Sequence, residues 1–101
     1  PAVDLGLDEE QLEEIAKIQK ELRSELQELK VERYEASLKL EELYTAEELD
    51  AGDINDQQQR VFDVIKEITE LQVEAQQDIR DVLNTEQRNQ LMRSGDWLML
   101  N

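Results

Sequence analysis

The chain contains no cysteine and no histidine, and among its 101 residues there are only one proline, three glycines, one tryptophan, two tyrosines and one phenylalanine. Lack of cysteine excludes disulfides and thiolate metal sites, and leaves the redox compartment open. Lack of histidine removes the usual general base and the commonest transition-metal ligand. So little glycine, proline and aromatic material makes strands, hairpin turns and stacking platforms hard to build, which predicts an all-α fold. Basic residues are scarce too: 11 Lys and Arg stand against 26 Asp and Glu, a formal charge of −15. That charge opposes binding to nucleic acid phosphates and anionic membrane surfaces, so the expected partners are neutral, basic or metal cations. No apolar run approaches the ~20 residues of a membrane span. The sequence starts at Pro1, which leaves room for a signal peptide or anchor removed before this form was made.

What the sequence does have is helical periodicity. From Leu7 to Ala51 no proline or glycine intervenes; Ile15, Leu22, Leu29, Ala36 and Leu43 recur every seven residues, and Leu12, Leu26 and Leu40 fill an alternate row. A helix of that length would reach about 60 Å at about 1.5 Å per residue and needs something to cover its seam. Ile54, Val61, Ile68, Ala75 and Val82 repeat in the same way, with Ile65 and Ile79 as companions and Phe62, Val64 and Leu71 on the flanks. A short polar turn, Asp50-Ala51-Gly52-Asp53, joins the two arms, so antiparallel pairing is predicted.

The expected architecture is therefore a single helical-hairpin domain over 1–101, dimerising into a helical bundle. Residues 1–6 form an extended leader and 7–51 the first arm, with Thr45 and Glu48 restarting its last turn. The second arm covers 53–83, capped by Asp53, Asn55 or Asp56. A short helix over 85–93 is closed by Gly95, and 94–101 form an apolar tail carrying Trp97, Leu98, Met99 and Leu100, which fits a neighbouring groove of this or another subunit ahead of a client or lipid contact. Gly6, Gly52 and Gly95 mark where the helical patterns start or stop. Gln58, Gln72 and Arg33 fall at seam positions, where single polar residues fix register or line a polar groove.

Two features are candidates for function. Val31, Tyr34 and Leu38 lie nearly opposite the Leu22 to Leu43 row, so the second half of the first arm wants cover on two sides; a dimer interface is expected there ahead of a client surface. The second feature is a repeated helix start. Leu7-Asp8-Glu9-Glu10-Gln11 and Leu83-Asn84-Thr85-Glu86-Gln87 each hold a leucine, a side-chain cap and a Glu-Gln pair, so Asp8 with Gln11 and Asn84 with Gln87 are predicted to form capping boxes.

This twin motif, flanking a helical hairpin of this size, resembles the LTxxQ-motif periplasmic family (Spy/CpxP/ZraP-like). The Leu22-Arg23-x-x-Leu26-x-x-Leu29 run and the long first arm bring it nearer the ZraP-like branch. The resemblance covers roughly residues 5 to 93, with Asp8 and Asn84 standing where the family has threonine. It implies a hooked antiparallel hairpin that dimerises, a periplasmic location, and a role in holding unfolded envelope proteins or restraining a stress-sensing kinase. The metal site of the metal-linked members, built on histidine and cysteine, maps onto no position here. The basic concave surface of the chaperone members also has no counterpart, since Lys17, Lys20, Arg23, Lys30 and Arg33 point in several directions.

The leading expectation is an ATP-independent, chaperone-like or envelope-stress regulatory binding protein, without cofactor or enzymatic activity. The alternative is a metal-responsive sensor or scavenger for zinc or other heavy-metal resistance. Its available ligands are carboxylates, amides, Met92 and Met99, and the densest oxygen cluster is Asp50, Asp53, Asn55 and Asp56. That cluster lacks the spacing and terminal glutamate of a calcium loop, which favours turn and capping chemistry. Catalysis is the weakest reading, because Ser24, Ser37 and Ser94 have no histidine to activate them. A coiled coil without a client ranks above it.

Overall fold

A computed structural model of the chain describes residues 5–95. It contains three helices, α1 (Glu9–Tyr44), α2 (Ala51–Val82) and α3 (Thr85–Ser94), and no strand among the described residues. The protein is all-α. The leader up to Asp4 and the tail residues Trp97 to Leu100 lie outside the described residues.

Helix α1 begins where Asp8 accepts the Gln11 amide at 2.8 Å, and Glu9 and Glu10 in its first turn complement the helix dipole. It ends earlier than the periodicity predicts. The Thr45 amide closes on the Glu41 carbonyl at 3.0 Å, while Thr45 Oγ1 donates to the Glu41 and Glu42 carbonyls at 3.0 and 3.2 Å. Residues 45–50 are turn, bend and irregular chain, so Thr45 and Glu48 do not restart a helical turn. Asp50 is the cap of α2, its carboxylate accepting the Asp53 amide at 3.0 Å and its carbonyl the Ile54 amide at 3.0 Å. A capping residue must leave helical geometry, so α1 cannot run through it.

Asp53, Asn55 and Asp56 thus lie inside α2 and do not cap it. Gly52 also lies within the first turn of α2, not at a corner between arms, and its φ is not in the left-handed region. Its use is spatial: a Cβ there would sit 3.3 Å from the Asp50 carboxylate oxygen that makes the cap.

Contacts divide the chain into two compact units, one of Pro1–Ser24 with Leu71–Asn101 and one of Glu25–Glu70. In the first, Leu5, Ile15, Ile79, Leu83 and Leu91 form a buried cluster with Leu7, Ile18 and Val82 packed around it. Helix α3 enters this core through Leu91, and Gly95 ends it in the left-handed conformation at φ 79°. Each fully buried aliphatic side chain here contributes about 1.5–3 kcal/mol relative to exposure.

In the second unit, Leu26, Ala36, Val61 and Val64 are buried. The Gln57 side chain donates to the Ala36 carbonyl at 2.9 Å, and Arg60 pairs with Glu32 at 3.6 Å. Both contacts join α1 to α2 within this unit. Ala36 is small enough for Gln57 to reach its carbonyl, which pins the local register. That polar crossing falls on Gln57; Gln58 and Gln72 are only partly buried, and Arg33 is exposed.

Candidate functional site: paired capping boxes and an exposed apolar stripe

The two boxes meet in the first unit. In each, the glutamine oxygen accepts the amide of its own cap: Asp8 N to Gln11 Oε1 at 3.1 Å, and Asn84 N to Gln87 Oε1 at 2.9 Å. The cap side chains return the bond, Asn84 Oδ1 accepting the Gln87 amide at 2.8 Å. The carboxamides then bond to each other, Gln11 Nε2 donating to Gln87 Oε1 at 2.8 Å and Gln87 Nε2 to Gln11 Oε1 at 3.2 Å.

Their remaining hydrogens go to backbone. Gln11 Nε2 donates to the Val82 carbonyl at 3.1 Å, and Gln87 Nε2 reaches the Leu5 and Gly6 carbonyls at 3.3 and 3.4 Å. Val82 precedes Leu83 and Gly6 precedes Leu7, so each glutamine bonds the residue just before the other box's leucine. The joint has an approximate two-fold exchange symmetry.

This accounting explains why both positions are glutamine. Each side-chain oxygen accepts twice and each nitrogen donates twice or more, so a buried amide leaves nothing unpaired. Glutamate would bring a charge without donors, and asparagine would fall short by one methylene. Gln87 is 6% exposed, so its bonds form largely out of water, where an unmade bond is expensive. Leu83 is buried beside it and Leu7 packs against the same cluster. Arg88 closes the corner by donating to the Arg80 carbonyl at 3.3 Å. The six residues Leu7, Asp8, Gln11, Leu83, Asn84 and Gln87 are therefore brought together in one place. The sequence repeat marked all of them, but not that the two glutamines pair.

Val31, Tyr34 and Leu38 lie elsewhere, in the second unit on α1, and are 46, 65 and 40% exposed. They occur at i, i+3 and i+7, which makes one stripe, on the face of α1 opposite Ala36 and the half-buried Leu40 and Leu43. Phe62 and Tyr44 are also exposed in this unit.

A feature that sequence reading missed is an acidic trough in the first unit. One depression of about 370 Å³ is lined by Glu14, Lys17, Ile18, Glu21, Asp78, Asp81 and Val82, and a second of about 400 Å³ shares Glu14 and Val82 and adds Asp8, Glu10 and Gln11. Its residues come from α1 and from the end of α2, and only the pairing of those segments collects them. Among the described residues no group of three or more Asp and Glu is placed to hold a metal ion, and the Asp50 carboxylate is occupied as a helix cap. None of the helices is long and apolar enough to cross a membrane among the described residues. Compared with family models, curated proteins and solved structures, the chain gives no match.

Proposed function

We propose that this chain is an ATP-independent, chaperone-like or envelope-stress regulatory binding protein of the LTxxQ type. It acts in the periplasm as a dimer of hooked antiparallel helical hairpins, each ending in a short third helix. One observation carries the reading: the reciprocal Gln11–Gln87 pair makes the two boxes halves of a single joint instead of two unrelated helix starts. A motif needed twice, at positions 76 residues apart, is the feature on which the family resemblance rests.

Holding an unfolded chain or a regulatory partner calls for exposed apolar surface and no catalytic group. Val31, Tyr34 and Leu38 supply such surface. With a formal charge of −15, the protein favours neutral or basic unfolded segments over acidic ones.

The test is suppression of client aggregation without nucleotide, with wild type beside Tyr34→Asp and Leu38→Asp, and with light-scattering mass measured on each. Wild type is expected to suppress aggregation at low molar excess. Loss of suppression with the dimer intact would mark the stripe as the client face; loss of both would mark it as the interface. A wild-type protein that protects no client, acidic or basic, sinks the chaperone reading.

A further inference from the structure

Leu5 is buried although it lies outside every helix. Its side chain packs with Ile79, Leu83 and Leu91, and Gly6 then turns the chain toward the Asp8 cap in the left-handed conformation at φ 64°. The backbone of this short strap is held by one group. Gln87 Nε2 has two hydrogens but three acceptors in range: Gln11 Oε1 at 3.2 Å, and the Leu5 and Gly6 carbonyls at 3.3 and 3.4 Å. The two strap carbonyls therefore share a single hydrogen, in the longest bonds of the joint.

The rest of the joint does not pass through the strap. Both capping boxes, the bond from Gln11 Nε2 to Gln87 Oε1 and the bond from Gln11 to the Val82 carbonyl connect only residues 8–11 and 82–87. Lifting Leu5 away breaks the shared bond and uncovers Ile79, Leu83 and Leu91, with a carboxamide hydrogen beside them. Those are the two elements that recognise an extended chain: a pocket for a side chain and a donor for main-chain carbonyls.

We infer that Leu5-Gly6 is an autoinhibitory strap, occupying in cis a groove that accepts an unfolded, leucine-bearing segment of a partner protein. This rests on the reading above that the protein holds unfolded chains, and adds to it a closed site in the first unit. The strap itself shows what fits. One aliphatic side chain enters over Ile79, Leu83 and Leu91, and carbonyls beside it take the Gln87 hydrogen. Any extended segment with a leucine supplies both. Acidic segments are disfavoured, because Asp8, Glu10 and Glu14 line the depression that includes Gln11 and Val82 of the joint.

A strap competes with the segment it imitates, so apparent affinity falls by the fraction of molecules that are open. Burial of the Leu5 side chain is its main hold, and removing that hold should raise affinity on the order of tenfold or more. The probe is an acetylated and amidated ALGLA peptide, titrated into the isotope-labelled full chain by NMR, with ASGSA as control. Leu5→Asp brings a charge that an apolar pocket does not hold. Gly6→Val strains the backbone at φ 64°. Each opens the strap by a different route and leaves Ile79, Leu83, Leu91 and Gln87 in place.

Both variants should bind ALGLA about tenfold or more tightly than wild type, with shifts at Ile79, Leu83, Leu91 and the Gln87 carboxamide, and neither should bind ASGSA. The Asn84 and Gln87 amides should stay protected from hydrogen exchange in both. The inference is overturned if neither variant gains affinity, if the shifts fall on Val31, Tyr34 and Leu38 instead, or if opening the strap strips protection from Asn84 and Gln87, which would make Leu5 a part of the core that the joint needs. A protein that binds ALGLA in this groove yet protects no client from aggregation would keep the strap and remove the chaperone reading. One that protects clients but takes no peptide here would do the opposite.

Discussion

The joint between the boxes can be tested by a double-mutant cycle on Gln11→Ala and Gln87→Ala. Gln87 Oε1 accepts two short bonds, from Asn84 N at 2.9 Å and Gln11 Nε2 at 2.8 Å, and Gln87 Nε2 donates longer ones to Gln11 Oε1 and the Leu5 and Gly6 carbonyls at 3.2–3.4 Å. A neutral bond contributes about 0.5–1.5 kcal/mol net, and a buried group left unpaired costs about 1–3 kcal/mol. Truncating Gln87 removes the pairing of the Leu5 carbonyl and of the Asn84 amide at a site that is 6% exposed. Its expected cost is about 2–4 kcal/mol. Gln11 is only half-buried, so water replaces part of what it loses, and its truncation should cost about 1–2 kcal/mol.

The bonds the two carboxamides share are lost in either single variant, so the double variant should be more stable than the sum predicts by about 1–1.5 kcal/mol. Urea unfolding by circular dichroism gives the global values. Amide hydrogen exchange at Gln11, Asn84 and Gln87 reports the first unit directly and guards against departures from two-state behaviour. Additivity to within about 0.5 kcal/mol would refute the coupling, and so would unchanged exchange at Asn84 in Gln11→Ala.

Two further outcomes follow from the start of α2 and from the first core. Asp50→Ala should cost about 1 kcal/mol by removing the cap, and Gly52→Ala should stabilise more in that background than in wild type, since the Cβ would no longer meet the Asp50 oxygen at 3.3 Å; equal effects of Gly52→Ala in thermal melts of both backgrounds would contradict this. Ile79 is 1% exposed and Met92 53%, so Ile79→Ala should cost about 2–5 kcal/mol and Met92→Ala less than about 0.5 kcal/mol, measured as urea midpoints; comparable losses would remove Ile79 from the core.

How far the sequence reaches can be judged from individual residues. Seven-residue rows of leucine, isoleucine and valine, uninterrupted by proline, determine by themselves that long helices form and which face of each is apolar, because a helix turns by about 100° per residue whatever lies around it. The capping boxes were legible for the same reason: cap and reciprocal glutamine are three residues apart, and local geometry closes them. The end of α1 was not legible. Thr45 to Asp50 is acidic and free of proline, a stretch that continues a helix on propensity, yet α1 stops at Tyr44, where the Thr45 hydroxyl donates to the Glu41 and Glu42 carbonyls, and Asp50 opens α2 as its cap. Gly52 misled in the same way, since a glycine reads as a corner until the neighbouring carboxylate is seen to need the space. What tertiary structure alone decided is contact between residues far apart in the chain. The bond from Gln11 to Gln87, the reach of Gln57 to the Ala36 carbonyl, and the gathering of Glu14 and Glu21 with Asp78 and Asp81 depend on how segments pair, and the helical repeat of one segment carries no information about the register of the other.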